Sequence, residues 1–304
     1  MKGRIRLIGP VLAALMCTTC SARADEPCAA SVVFDKGATA RELDGVSSNG
    51  SGLAVAAKVV GKDPDLRFVF DSGAGRTVLS RSAAQRLGLK ATEKGTIGGV
   101  GNGRVNVDVV KGVSLTVGGL RLDGVDLNLA EMPEDQHIDG IIGYDLLCSA
   151  VVTLDFKKPG ITVAVPSTFQ YRGDGDKLPL VIKGHWPFVK AAIKVPGVDP
   201  VEDLFLIDTG SEDAVNHPII RSSKGPLRQV NTGNGGFGES QPGVIGQNEW
   251  FRIGSTTIPS TTSVCCASSE DISRQLGTAI LSHFRITFDY PDRLIFLEKY
   301  TDKQ

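Results

Sequence analysis

Two aspartates far apart in the chain stand in nearly identical surroundings. Asp71 ends the apolar run of F-V-F-D-S-G-A at Phe68 to Ala74, and Asp208 has the same place in F-L-I-D-T-G-S at Phe205 to Ser211. Two carboxyls about 3 Å apart cannot both ionise, so they share one proton. The ionised member can take a proton from a water while the protonated member donates to a carbonyl oxygen. The pattern predicts acid–base chemistry that needs no metal and no other cofactor.

The elements that position such a pair follow from the residues around it. An apolar run that ends at a glycine predicts a buried strand followed by a turn or a close approach of two backbones. The glycines would let the loops approach each other, the hydroxyls would bond the main chain of the opposite loop, and the last residues would complete the turns. D-[ST]-G is also an ordinary turn sequence, and only a repeat of the surroundings favours the paired interpretation. The supporting loop residues are Ser72, Gly73, Ala74, Thr209, Gly210 and Ser211.

The surroundings do repeat, in the same order. Alternating strands around turns at Gly61 to Asp65 and Pro196 to Pro200 predict a hairpin before each aspartate. Later in each half, Gly143 to Val163 aligns without a gap on Gly277 to Leu297. We interpret the chain as a tandem duplication.

Short helices follow each aspartate loop. Ser80 is expected to cap a helix that runs through Leu87 and stops at Gly88. In the second half, Asn216 with Pro218 soon after it predicts a similar but shorter helix. Residues 25–50 show little periodicity, which predicts an irregular lead-in.

Each half also contains a glycine-rich segment, G-G-V-G-N-G at Gly98 to Gly103 and G-N-G-G-F-G at Gly233 to Gly238. The second fits the dinucleotide fingerprint formally, but Glu239 to Gly243 follow it instead of a helix. We predict the tips of hairpins that close over a cleft, with plain exposed turns as the alternative. The residues assigned to this cover are Gly98, Gly99, Val100, Gly101, Gly235, Gly236 and Phe237.

Many short strands, glycine-rich turns and brief helices predict an all-β fold in which each half forms a small β-barrel-like lobe. The predicted boundaries are residues 25–165 for the first lobe, 166–177 for a polar link and 178–304 for the second lobe. A pseudo-twofold axis between the lobes would bring both aspartate loops to that axis, with a cleft across it.

The N-terminus predicts export. Lys2, Arg4 and Arg6 precede an apolar stretch from Leu7 to Met16, and cleavage is expected after Ala24, which gives a periplasmic or secreted protein. No later run of about 18 apolar residues predicts a membrane span. Four of the 33 basic residues and none of the 34 acidic ones lie in the first 24 positions, so the mature net charge is −5, which argues against a nucleic-acid partner.

Four cysteines remain after this cleavage, and four cysteines allow three pairings. A bridge between the neighbours Cys265 and Cys266 would be strained. We therefore expect at least one of them to pair with Cys28 or Cys148.

Other chemistries find less support. The four histidines are scattered and no H-E-x-x-H occurs, so no metal site is predicted. The nucleophile pattern G-x-S-x-G is absent, and so is the phosphate-binding pattern G-x-x-x-x-G-K-[ST].

The two aspartate segments resemble the D-[ST]-G-[AS] signature of the aspartic protease superfamily, and Ile141-Ile142-Gly143 resembles the apolar-apolar-Gly element behind each catalytic loop. F-V-F-D-S-G-A-G-R-T-V-L-S with the alanine-rich helix and L-G-L after it is most similar to bacterial retropepsin-like aspartyl proteases, here duplicated in one chain as in pepsin. The resemblance implies an endopeptidase with Asp71 and Asp208 as the catalytic pair. It also implies an extended peptide or protein substrate, and we expect a monomer.

Two departures from the family pattern leave other hypotheses open. Gln275-Leu276-Gly277 has only one apolar residue before its glycine, and neither glycine-rich segment contains the tyrosine of the pepsin flap. The alternative is a peptide-binding protein that retains the scaffold without turnover. A third possibility is a dimer in which each lobe pairs with another molecule.

Overall fold

The computed structural model describes residues 28–50, 52–98, 104–132, 137–232, 240–265 and 273–301. Strands dominate these ranges, and the α-helices within them are short. The predicted all-β, acid-protease-like fold is confirmed.

The first half of the chain contains twelve of the strands in the described ranges and two α-helices. They are β1 Ser31–Val33, β2 Ala40–Glu42, β3 Ser47–Asn49, β4 Gly52–Val59, β5 Leu66–Phe70, β6 Val78–Ser80, α1 Arg81–Arg86, β7 Glu93–Ile97, β8 Val105–Val117, β9 Leu120–Ala130, β10 Gly140–Ile142, α2 Tyr144–Leu147, β11 Val151–Asp155 and β12 Gly160–Ala164.

The second half supplies the rest. Its elements are β13 Asp176–Pro179, β14 Val181–Lys183, β15 Trp186–Lys194, β16 Val201–Ile207, β17 Val215–Asn216, β18 Arg228–Thr232, β19 Gln241–Gln247, β20 Trp250–Ile253, β21 Thr256–Pro259, β22 Thr262–Cys265, β23 Gln275–Leu276, α3 Thr278–Leu281, β24 Phe284–Asp289 and β25 Leu294–Lys299. Two 3-10 helices, Pro166–Thr168 and Pro218–Ser222, connect strands.

The first sheet closes on itself. Its strand order is β9-β6-β10-β5-β4-β8, and β8 pairs again with β9. Alternate side chains of β5 point inward, so Phe68 and Phe70 are buried in the closed sheet while Arg67 is exposed. The closed sheet holds the end of β5 in a fixed place, and Asp71 is the next residue.

The second sheet repeats the central part of this order. Strand β16 lies between β15 and the parallel strand β23, just as β5 lies between β4 and the parallel strand β10. Phe205 and Ile207 on β16 are fully buried, and Asp208 follows directly. Both aspartates therefore emerge at the end of a central strand.

A third sheet joins the two halves of the chain, with the strand order β13-β25-β24-β11-β12-β2. Its central strands β11 and β24 belong to the two segments that align in sequence. They run antiparallel with Thr153 opposite Thr287, and the two hydroxyls are 2.8 Å apart. Equivalent residues thus face each other, which is the arrangement expected at a twofold axis.

Several local predictions are confirmed. The hairpins β4–β5 and β15–β16 precede the aspartates with the predicted turns between their strands. Ser80 caps α1 by accepting a hydrogen bond from the Ala83 amide at 3.1 Å. Gly88 ends that segment with a φ of 62°, a backbone conformation that glycine adopts readily.

The shorter helix of the second half forms as the 3-10 helix Pro218–Ser222. His217 caps it, because its Nδ1 accepts the Ile219 amide hydrogen at 3.0 Å. Asn216 belongs to β17.

Two predictions are wrong. The lead-in is not irregular, since β1, β2 and β3 pair with β9, β12 and β4. These strands have only three residues each, too few to show an alternating pattern.

Cys28 forms a disulfide with Cys148, not with Cys265 or Cys266, because β1 and α2 pack together and bring the two Cα atoms within 5.7 Å. Cys265 is also disulfide-bonded.

Some predicted features lie outside the described residues. They are the export signal at residues 1–24 and the cover residues Gly99, Val100, Gly101, Gly235, Gly236 and Phe237. Across the described ranges, no helix has the length and apolar character needed to cross a membrane.

Candidate active site

The two aspartates are held by matching main-chain contacts. The Asp71 amide donates to the Ile142 carbonyl at 2.9 Å, and the Asp208 amide donates to the Leu276 carbonyl at 2.9 Å. Ile142 and Leu276 end the parallel strands β10 and β23, so each strand fixes the start of the aspartate loop beside it. The element Gln275-Leu276-Gly277, which the sequence suggested to be irregular, therefore has the same backbone role as its counterpart in the first half.

Each aspartate loop folds into a tight turn. The Asp71 carboxylate accepts the Gly73 amide hydrogen at 2.7 Å, and the Asp71 carbonyl accepts that of Ala74 at 3.0 Å. In the second loop, the Gly210 amide donates to the Asp208 carboxylate at 2.9 Å, and the Ser211 amide to the Asp208 carbonyl at 3.4 Å. Backbone donors therefore point at both carboxylates and orient them.

The loop glycines face the carboxyl of the opposite half. A Cβ atom built on Gly73 would lie 2.6 Å from Cγ of Asp208, and one built on Gly210 would lie 2.3 Å from Cγ of Asp71. Both distances are shorter than any real Cβ contact. The two halves can approach this closely only because both positions are glycine.

The hydroxyl residues between aspartate and glycine interlock the two loops. Ser72 Oγ donates to the Ile207 carbonyl at 2.7 Å and accepts the Thr209 amide hydrogen at 3.1 Å. Thr209 Oγ1 accepts the Ser72 amide hydrogen at 2.9 Å and donates to the Phe70 carbonyl at 3.4 Å. Both side chains are fully buried, so these bonds are shielded from water and fix the distance between the loops.

The carboxyl groups of Asp71 and Asp208 are hydrogen-bonded to each other. Burial raises the pKa of Asp71, although bonds from Asp208 and from backbone amides counteract it. Burial and then the negative charge of Asp71 raise the pKa of Asp208 well above its usual range. Asp208 is only 6% exposed whereas Asp71 is partly exposed, so burial acts more strongly on the carboxyl of Asp208.

One more side chain contacts the aspartate pair, and it was not among the site residues predicted from the sequence. The Gln275 amide donates a hydrogen bond to Oδ2 of Asp208, and Gln275 is buried. Its position in the first half is occupied by Ile141, as the equivalent strand pairings show. The available signal was the departure of Gln275-Leu276-Gly277 from the apolar-apolar-Gly pattern, in which Gln275 stands where Ile141 stands in the first half.

The predicted cover hairpins are partly visible. Strand β7 pairs with β8 up to Ile97 and Val105, so Gly98 begins the connection between them. Strand β18 pairs with β19 up to Thr232 and Gln241. The flanking strands of each segment thus pair with each other, while residues 99–103 and 233–239 lie outside the described residues.

Comparison with known protein families gives one finding for the first half of the chain. Residues 55–146, from β4 to α2, match the family model described as aspartyl protease. This segment is therefore similar to aspartyl proteases. The match includes the Asp71 loop and the element Ile141-Ile142-Gly143 behind it, and it supports a protease-like function. No curated protein matches the chain significantly.

Proposed function

We propose that this protein is an exported aspartic endopeptidase that hydrolyses peptide bonds with a water activated jointly by Asp71 and Asp208. The observation that carries the proposal is the hydrogen bond between these two carboxyls, which lie on separate halves of the chain. A pair of this kind supplies a base and an acid at one point.

The unequal environments of the two carboxyls suggest their roles. Asp71 is partly exposed and accepts backbone hydrogen bonds, which favours its ionised form and makes it the base that takes a proton from the attacking water. Asp208 is buried and protonated, so it donates its proton to the carbonyl oxygen of the peptide bond. Asp71 then passes its proton to the leaving amine as the carbon–nitrogen bond breaks. A proton of the intermediate returns to Asp208.

The remaining parts of the proposal have structural support of their own. The matching strand order around β5 and β16, and the contact of Thr153 with Thr287, support a tandem duplication with the active site at its axis. Beside the Asp71 loop lies a cavity of about 350 Å³, which offers room for part of a bound peptide. Its lining residues are Ala29, Gly75, Arg76, Lys111, Gly124, Asp126, Tyr144, Asp145 and His185.

Export and cleavage after Ala24 rest on the N-terminal pattern and on the disulfide, because disulfides persist in oxidising compartments.

Cleavage of an unfolded protein by the chain that begins at Asp25 tests the proposal. We expect endoproteolysis with an acid-side optimum, reduced about a thousandfold or more by Asp71→Asn and equally by Asp208→Asn, because a single carboxyl cannot act as base and acid together. Asp174→Asn, on the exposed link, is the matched control and should cleave like the wild type. Full activity in either dyad variant would contradict the shared mechanism.

A further inference from the structure

The two halves are nearly symmetric around the aspartate pair, and the symmetry fails at one position that touches it. Ile141 pairs in parallel with Val69 and in antiparallel fashion with Val78. Gln275 pairs in the same way with Leu206 and Asn216. An isoleucine in one half and a glutamine in the other therefore occupy equivalent places behind the two aspartate loops.

The glutamine is in direct contact with one carboxyl. Its Nε2 donates to Oδ2 of Asp208, while Oδ1 of the same carboxyl accepts the Gly210 amide hydrogen at 2.9 Å. Gln275 is 2% exposed, so water does not compete for this bond. Both oxygens of Asp208 are thus held by donors of its own half, and the rotation of the carboxyl is fixed.

Ile141, at the equivalent place in the first half, offers Asp71 no such donor. Ile141 packs with Val78, Ile97, Val107 and Val109 in a small apolar cluster. An apolar side chain donates no hydrogen bond to a carboxylate. The donors to Asp71 are backbone amides and its partner Asp208.

We propose that Gln275 is a positioning residue that fixes the rotation of the Asp208 carboxyl and favours its ionised form. This inference rests on the proposed function for its kinetic consequences, but the contact itself can be tested without a substrate. A donor to a carboxylate favours the ionised form, so Gln275 opposes the effect of burial on Asp208. It thereby limits how high the pH must rise before the pair loses its last proton.

The test exchanges the two side chains. Gln275→Ile should move the alkaline limb of the kcat/KM profile to higher pH by about 1 pH unit, because Asp208 loses a donor and releases its proton less readily. Ile141→Gln should move the acid limb to lower pH, because Asp71 gains a donor. Gln275→Met keeps the chain length without the amide and should shift the alkaline limb like Gln275→Ile. The two aspartates titrate as a coupled pair, so the pH values of both limbs of the kcat/KM profile describe the pair and not a single residue.

A carboxyl NMR titration of the same variants separates the outcomes. If the wild type cleaves no peptide but Gln275→Ile still raises the upper titration step of the pair, the proposed function fails and the role of Gln275 stands. If cleavage occurs and neither Gln275 variant moves the alkaline limb or the titration, Gln275 only fills space and the inference is overturned. A Gln275→Ile protein that does not fold is replaced by Gln275→Met in both measurements. A lower kcat with unchanged limbs in that variant also counts against the inference.

Discussion

The two halves of the chain build the same loop from different side chains, and the differences lie around the second aspartate. The first loop is backed by Ile141 and followed by a helix that Ser80 caps with a hydroxyl. The second is backed by Gln275 and followed by a 3-10 helix that His217 caps with an imidazole. The side chains behind and after the two loops therefore differ: isoleucine and serine in the first half, glutamine and histidine in the second. The backbone fixes the geometry of the pair, and among these four side chains only Gln275 bonds to one of its members.

Substitution of the two loop glycines should reduce activity most, because each of them faces the carboxyl of the opposite half and both halves have this feature. Gly73→Ala and Gly210→Ala each place a methyl group inside the opposite carboxyl, at 2.6 and 2.3 Å from its Cγ. We expect each change to push the carboxyls apart and to reduce kcat/KM about a hundredfold or more. Peptide cleavage by the purified variants measures it. Asp174→Asn, at an exposed residue outside both loops, is again the control. Near-normal cleavage by either loop variant would mean that the close approach is not needed.

The two helix caps should differ in their response to pH. Burial lowers the pKa of His217 from 6.5 to about 4. In the unfolded chain the imidazole takes up a proton below pH 6.5 and in the folded protein only below about 4, so stability falls as pH decreases through this window. The expected loss is about 3 kcal/mol. Ser80 does not titrate in this range.

Denaturant unfolding at pH 7 and pH 4 measures this difference, with His217→Asn as the comparison. Asparagine retains a side-chain acceptor for the cap and does not titrate, so the variant should lose less stability on acidification than the wild type. Subtracting the stability change of His217→Asn from that of the wild type removes the contribution of the aspartate pair, which both proteins contain. The raised pKa values of that pair stabilise the fold as pH falls. Ser80→Ala should cost about 1 kcal/mol at both pH values. Equal pH dependence of wild type and His217→Asn would contradict the buried neutral imidazole.

Removal of the hydroxyls that interlock the two loops should lower the free energy of unfolding, by different amounts at Ser72 and Thr209. Ser72→Ala removes a donor to a carbonyl at 2.7 Å, whereas Thr209→Val removes a longer bond of 3.4 Å and preserves shape. Each change also leaves a buried amide of the other loop unsatisfied. We expect losses of about 1 to 3 kcal/mol in the free energy of unfolding, with Ser72→Ala the more damaging. Thermal and chemical unfolding measure both, and a larger cost for Thr209→Val would reverse the assigned ranking of the two bonds.

The sequence predicted what depends on local patterns. The hairpins before Asp71 and Asp208 follow from alternation and turn residues, and α1 follows from Ser80 and Gly88 at its ends. It did not predict β1 to β3, because three-residue strands carry no period and form only on partners distant in the chain. The Cys28–Cys148 disulfide likewise depends on tertiary packing.

The site shows the same limit. The repeated D-[ST]-G pattern suggested that two aspartates meet, but it carried no sign of which would hold the proton. That difference depends on burial, which raises the pKa of Asp208, and on Gln275, whose hydrogen bond acts in the opposite direction. The linear pattern marked Gln275 only as a missing apolar residue. A polar residue that interrupts an otherwise apolar repeat beside an aspartate loop is the signal to use in similar sequences.

The measurement closest to the central claim is a carboxyl NMR titration of the protein labelled at aspartate, with Asp71→Asn and Asp208→Asn used to assign the two signals. Near pH 5, where a free aspartate is ionised, we predict one protonated and one ionised carboxyl in the pair, with Asp208 as the protonated member. In either variant the remaining carboxyl should titrate in a single step. Two independent and ordinary titrations near pH 4 in the wild type would show that the carboxyls share no proton, and the proposed mechanism would be wrong.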